Sequence, residues 1–462
     1  MNPHARQAAW RLLESSVVTY QGQPVGTVAA QDTDIAALNY DQVFTRDFAI
    51  SAFAFLLDGR AEIVRNFLHT AVRLQSQERQ LDCFKPGKGL MPASFKVSCA
   101  GNRETLIGDF GEHAIARVAP VDSGFWWLLI LQSYVRATGD WAFAHRQDLQ
   151  QAPRLILDLC LTSRFDMFPT MLVPDGSFMI DRRMGVYGYP LDIQAQFFAA
   201  LCAASELLDD SDAASAAYRP VLDERLSHLA HHVRTYYWLD LPRLGQIYRY
   251  GVEEYGPTSI NKFNIYPDTI PDWLMDWLPE RGGYLVGNLG PGRLDYRWFG
   301  QGNLLACAAG LASPDQTGAI MQLLVDRQED LIGAMPAKLC FPALADQDWR
   351  ILTGCDPKNR PWSYHNGGHW PMLLWLLTLV SLQTGAEDLA ERALHTAERR
   401  LLQDDWPEYY DGRRGRLVGQ QARRQQTWSA AGYLVACQLL EQPERAALLR
   451  MGRAISGRGC VS

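Results

Sequence analysis

At 462 residues, with 47% hydrophobic and 21% charged side chains, the chain has an ordinary globular composition and room for two or three domains or one large closed fold. A net charge of −7 argues against a nucleic-acid partner, which would select a basic face. No window reaches the ~18 consecutive apolar residues of a membrane span, and the segment 1–7 lacks the apolar core of a secretory signal, so a cytoplasmic location is expected.

In chain order, a short helix is expected over Pro3–Glu14, followed by a β-hairpin-like stretch, Val17–Val28, whose two β-branched runs flank a Gly/Pro turn. These elements make residues 1–35 an N-terminal extension. Helical periodicity dominates from there on, without the strand–helix alternation of a parallel sheet. Each repeating unit opens on a polar-aromatic segment, runs into a nearly all-apolar helix, breaks at Gly or Asp, and continues as an amphipathic helix. The openings are Phe44–Asp47, Val121–Trp127, Tyr189–Gln194, Trp298–Gly302, Trp362–Asn366 and Gln425–Trp428. The breaks fall at Asp58-Gly59, Gly139-Asp140, Asp209-Asp210 and Thr384-Gly385, the expected end and cap chemistry of helical hairpins.

Trp370–Val380 is apolar all round and Glu387–Arg399 carries a polar stripe, so the first helix of a pair is buried and the second lies outside. Six of each, alternating, describe an all-α fold, an (α/α)6 barrel, in one domain over 1–462; the irregular spacing and the long connection 245–297 disfavour a solenoid. The tail 454–462 is small and polar and is expected to be disordered. In such a barrel all six openings gather around one mouth.

Two carboxylates stand out in connections leading to that mouth. Asp181 lies in Phe178–Gly185 and Glu408 in Trp406–Gly412, each among apolar and aromatic neighbours. Burial raises a carboxyl pKa and suits proton donation near neutral pH, and two such groups facing each other are the minimum equipment for splitting a glycosidic bond. The bland alternative for Asp181 is an ion pair with Arg182 or Arg183. Asp47, beside Arg46, is either half of a buried pair at the rim or a sugar contact. Asp122 resembles a helix N-cap, and Asp192 a first-turn carboxylate favoured by the helix dipole.

Fourteen Trp, eighteen Tyr and eighteen Phe suit either a large core or a cleft that stacks sugar rings. His365 and His369 have metal-ligand spacing, but Gly367 and Gly368 between them argue against the helix such a site needs, so no metal is expected. Nine scattered cysteines without a Cys-x-x-Cys pattern read as structural thiols. Gly287–Gly292 is Gly-rich, but no Lys-Ser/Thr follows, which argues against a phosphate cradle; no serine-nucleophile elbow or dinucleotide fingerprint is present.

Several long stretches, in order, make the chain similar to the alkaline/neutral invertases, the family-100 glycoside hydrolases of cyanobacteria and plants. They are Leu38–Phe48, Asp109–Gly124, Met179–Gly185, Phe263–Trp273 and Cys355–Gly368, and the likeness runs from Gly22 to Tyr433. The resemblance implies an (α/α)6-barrel enzyme that hydrolyses sucrose to glucose and fructose with inversion at the glucosyl carbon, without metal or cofactor. It also implies a homo-oligomer, hexamers being among the family's assemblies. Carried over by motif, Asp181 is the general acid and Glu408 the general base, and Tyr40, Asp41, Arg46, Asp47, Asp122, Arg183, Trp362, His365, Gln426 and Trp428 line the sugar subsites. The chain departs from the family pattern at Asp192, where Glu is expected, and at His113 and His369, where a small polar residue is common. Competing readings are a trehalase-like hydrolase, a sugar epimerase working through histidines, or a sugar-binding barrel without catalysis.

Overall fold

The computed structural model describes residues 2–32, 39–78, 87–101, 103–112, 118–163, 165–173, 176, 178–180, 182–249, 265, 267–290 and 293–452. Asp181, His113 and the tail 454–462 lie outside the described residues. No helix among those described is long and apolar enough to cross a membrane.

Among the described residues, twelve helices form two layers. The inner layer is α2 (Thr45–Leu57), α4 (Ser123–Thr138), α6 (Leu191–Leu207), α8 (Gly300–Ala308), α10 (Leu374–Thr384) and α12 (Thr427–Glu441). Each packs on the next and α12 packs back on α2, so the ring closes, as an (α/α)6 barrel requires. The apolar character read in the sequence is what permits this. In α12 every residue from Thr427 to Leu439 is buried, because one face meets the barrel interior and the other the outer layer.

The outer layer is α1 (Pro3–Ser15), α3 (Ala61–Leu74), α5 (Gln147–Cys160), α7 (Arg219–Tyr236), α9 (Pro314–Asp326) and α11 (Glu387–Gln403). These helices bury a single stripe. In α11 it is Leu389, Ala390, Ala393, Leu394, Ala397, Glu398 and Leu401, the i, i+1, i+4 spacing of one helical face. Five outer helices follow their inner partners in the chain, and Gly139 and Gly385 close the inner helices α4 and α10 in left-handed conformation at φ 70° and 72°. The sixth place is filled from the other end of the chain: α1 packs on α11 and α12. The Asn2 backbone N–H donates to Glu398 at 2.9 Å, and Arg6 pairs with Glu441.

The hairpin after α1 forms as expected, β1 (Val17–Tyr20) against β2 (Gln23–Thr27). Besides two further two-stranded ribbons, two sheets of three and four strands were not read from the sequence. One pairs β3 (Val43–Phe44) with β4 (Ser94–Ala100) and β5 (Arg103–Asp109). The other orders β6 (Trp238–Asp240), β7 (Gly283–Gly290), β8 (Arg293–Phe299) and β9 (Cys340–Phe341) as β9-β8-β7-β6. Both sit in connections between helices, where strands of two to eight residues are overshadowed by the dominant helical pattern. Five of the seven described cysteines are buried, as structural thiols are.

Candidate active site

Glu408 lies in the connection from α11 to α12. Asp405, Trp406 and Gln425 take positive φ values of 62°, 53° and 49°, and the backbone N–H groups of Gln425 and Gln426 donate to the carbonyls of Asp405 and Trp406. Non-glycine residues in that region cost about 1–3 kcal/mol each and cluster where surrounding structure must hold a group in place. The held group is Glu408, whose own N–H donates to the Arg423 carbonyl at 2.8 Å.

The Glu408 side chain is 3% exposed overall, and its two oxygens differ. Tyr40 O–H donates to Oε1 at 2.9 Å. Oε2 has no hydrogen bond and faces Lys358 Nζ at 3.7 Å. Burial and the Glu408 charge push the Tyr40 phenol well above its ordinary pKa, so it stays a donor. Asp41, next in the chain, is exposed and among the described residues has no hydrogen bond to this group.

Arg46 and Asp47 open α2. Arg46 pairs not with Asp47 but with Asp122, through Nε at 2.5 Å and Nη2 at 2.9 Å. Asp122 occupies the N-cap position of α4 without capping it: the carboxylate makes no cap hydrogen bond and is taken instead by Arg46 and, at 3.2 Å, by Trp126 Nε1. The capping expected from Asp122-Ser-Gly is therefore corrected, because a bidentate guanidinium outcompetes a backbone N–H for a fully buried carboxylate. Asp47 receives Gln426 Nε2 at 3.4 Å. Its pKa is pushed up to about 7 by burial, against the pull of Arg46 and with the Glu408 and Asp122 charges adding to the rise. The starts of α2, α4 and α12 thus converge on one mouth.

Asp192 does sit in the first turn of its helix, α6. It is fully buried, and neither oxygen has a hydrogen-bond partner of good geometry. Burial raises its pKa to about 7, the N–H groups of Asp192 and Gly302 offsetting only part of that.

The fifth opening does not run straight into its helix. Trp362 and Tyr364 adopt φ 66° and 49° in a chain of turns ahead of α10, so His365 and His369 are not on a helix. His365 stacks on Tyr364 with centroids 3.9 Å apart, and Lys358 Nζ stands 3.8 Å from the same Tyr364 ring. Arg183 lies 5.7 Å from that ring and 3.5 Å from Asp356. Trp428 packs edge-on to Trp370, its indole N–H buried without a partner; Gln426 Oε1 is likewise buried and unpartnered. His369 Nδ1 faces the Met335 carbonyl at 2.6 Å, so it carries the proton and Nε2 accepts from Lys338 Nζ at 2.8 Å. Lys338 also donates to the carbonyls of Gly367 and Arg413, while its burial lowers its pKa to about 7. Among the described residues no group of three His, Cys, Asp or Glu is placed to hold a metal.

The structure brings Glu408, Tyr40, Arg46, Asp47, Asp122 and Gln426 together, with Trp362, His365, Arg183 and Trp428 on adjoining loop and helix. Lys358, which faces Glu408, was not singled out in the sequence. Lys358 lies in the Cys355–Gly368 stretch, two residues before Arg360, and nothing in the spacing of this non-helical segment distinguishes the one cation from the other.

A closed ring of inner helices, with a buried carboxylate and aromatic rings on the connections at its mouth, is the architecture of barrel glycosidases. Solved structures agree on the fold. A family-63 mannosylglycerate hydrolase from Thermus thermophilus in complex with glucose aligns with TM-score 0.55 at 13% identity, over 93% of this chain and 99% of that one. A bacterial glucoamylase complexed with acarbose aligns with TM-score 0.53 at 11% identity, over 96% and 57%. The particular family follows from sequence: the alkaline and neutral invertase family model matches residues 9–443, and the chain belongs to that family of glycoside hydrolases. Probable alkaline/neutral invertase D of Arabidopsis thaliana is 53% identical over 453 residues, covering 97% of this chain and 85% of the relative. Cytosolic invertase 1 of Oryza sativa subsp. japonica is 54% identical over 447 residues, 96% and 79%. The mitochondrial neutral/alkaline invertase 1 of the same plant is 54% identical over 450 residues, 96% and 72%.

Proposed function

We propose that the chain splits sucrose into glucose and fructose by single displacement at the glucosyl carbon. Asp181 protonates the bridging oxygen, and Glu408 takes a proton from the water that attacks the opposite face. The observation that carries the base assignment is the asymmetry of Glu408: Oε1 is anchored by Tyr40, and buried Oε2 has no hydrogen bond. One oxygen is thereby fixed and the other left to a water. In this reading Tyr40 orients the base, while Arg46, Asp47, Asp122, Arg183, Trp362, His365, Gln426 and Trp428 shape the sugar subsites and Asp41 stands at their edge. Of the histidines an epimerase would use, His369 has both ring nitrogens engaged, by Met335 and Lys338. The enzyme is further proposed to act in the cytoplasm as a homo-oligomer, with a hexamer as the assembly that sedimentation would test.

Anomer-resolved NMR during sucrose hydrolysis tests the reaction. Inversion releases β-glucose first, whereas α-glucose appearing first, or no hydrolysis of sucrose, overturns the proposal. Asp181→Asn and Glu408→Gln are each expected to lose about 10²–10⁴-fold in kcat, the usual worth of acid–base assistance, with sucrose still bound and melting little changed. Near-normal turnover in either variant removes that residue from its role.

A further inference from the structure

Lys358 has no part in the reaction as derived so far, yet it is the cation that faces the free oxygen of Glu408. The distance of 3.7 Å from Nζ to Oε2 is too long for a direct N–H···O bond, and one water oxygen hydrogen-bonded to both groups fits it. The lysine is held for this position. Its own backbone N–H donates to Asp356 Oδ1 at 2.9 Å, Asp356 also holds Asn359 Nδ2 at 3.1 Å, and Asn359 Oδ1 accepts from the His365 N–H at 3.1 Å. The ammonium rests over the Tyr364 ring, whose φ of 49° fixes that platform. Tyr40 O–H, at 2.9 Å, holds the other oxygen of Glu408, Oε1.

We infer that Lys358 is the second holder of the nucleophilic water, donating to its oxygen while Glu408 Oε2 accepts one of its protons; this rests on the reading of Glu408 as the base. In the step so described the water oxygen bonds to the anomeric carbon, the bond from that carbon to the bridging oxygen breaks, Asp181 gives its proton to the departing oxygen, and Glu408 receives the water proton. Lys358 keeps its own protons throughout and supplies position and positive charge at the attacking atom.

An anion that replaces the water separates this role from a structural one. In Glu408→Ala, sodium azide is expected to restore sucrose cleavage and to yield β-glucosyl azide plus fructose, the azide nitrogen bonding to the anomeric carbon in place of the water. Adding Lys358→Met is expected to reduce that azide-dependent rate by about tenfold or more, and Lys358→Arg to retain most of it, as removal of one charge-assisted contact implies. In the otherwise intact enzyme, Lys358→Met is expected to lower kcat about 10–100-fold with KM within about twofold. Azide rescue that is equal with and without the added Lys358→Met change overturns the assignment of Lys358 and leaves Glu408 as the base. Absence of β-glucosyl azide from Glu408→Ala overturns the assignment of the base itself, and the role of Lys358 with it.

Discussion

Asp47 and Asp192 open two inner helices, α2 and α6, and burial pushes each carboxyl from 3.8 to about 7. A raised acid pKa means that the folded protein holds a proton that the unfolded chain has released. The associated stability is fully present below about 3.8 and is lost as pH rises through about 7, at up to about 1.4 kcal/mol per pH unit for each group. Asp192→Asn cannot ionise, so its melting temperature relative to the parent is expected to climb from pH 5 to pH 8; melting curves at the two pH values with a constant gap would remove Asp192 as the source. Asp192→Glu is expected to destabilise instead. A Cβ built on Gly302 would already lie 2.8 Å from Asp192 Oδ2, so the helices have no space for another methylene.

Between elements, the decisive contact is Arg46–Asp122, which ties the first turn of α2 to the start of α4 with two short hydrogen bonds. Asp122 is completely buried, so removing its partner leaves a charge in the protein interior. Arg46→Leu is expected to cost about 3–5 kcal/mol, whereas replacing the pair together by Arg46→Leu/Asp122→Leu is expected to be much milder. Urea unfolding of both variants checks this, and comparable losses would mean that the pair contributes through packing alone. The sequence left Asp47 as either half of a buried pair or a sugar contact; neighbouring residues in a first turn point in different directions, and only the packing of α4 on α2 brings Asp122 within reach of Arg46.

For the whole molecule, α1 completes the outer layer. It packs beside its outer-layer neighbour α11 and covers the outer face of α12, burying Ala5, Ala9, Leu12 and Leu13. Deleting residues 2–15 is expected to expose the apolar outer face of α12, lower the melting temperature, and promote aggregation or dye binding to exposed hydrophobic surface. A deletion variant that melts at the parental temperature would show that the ring holds without its sixth outer helix. Arg6 meets Glu441 at the end of α12 away from the mouth, so the deletion removes barrel wall and none of the groups assigned to the chemistry.

What the sequence by itself determined was local and periodic. All-apolar helices must be buried and striped helices must cover them, so the two layers and five of the six helix starts were readable from hydrophobic spacing and from Gly and Asp at the breaks. The stretches around Asp181 and Glu408 stood out in the sequence because acidic side chains normally point into water unless something pairs with them. Only the tertiary structure decided that α1, from the far end of the chain, completes the outer layer, that Asp122 serves Arg46 and not its own helix, and that Lys358 and Tyr40 divide the two oxygens of Glu408. Each of these contacts joins residues far apart in the chain, and no spacing along the sequence encodes a distance that exists only after the ring has closed.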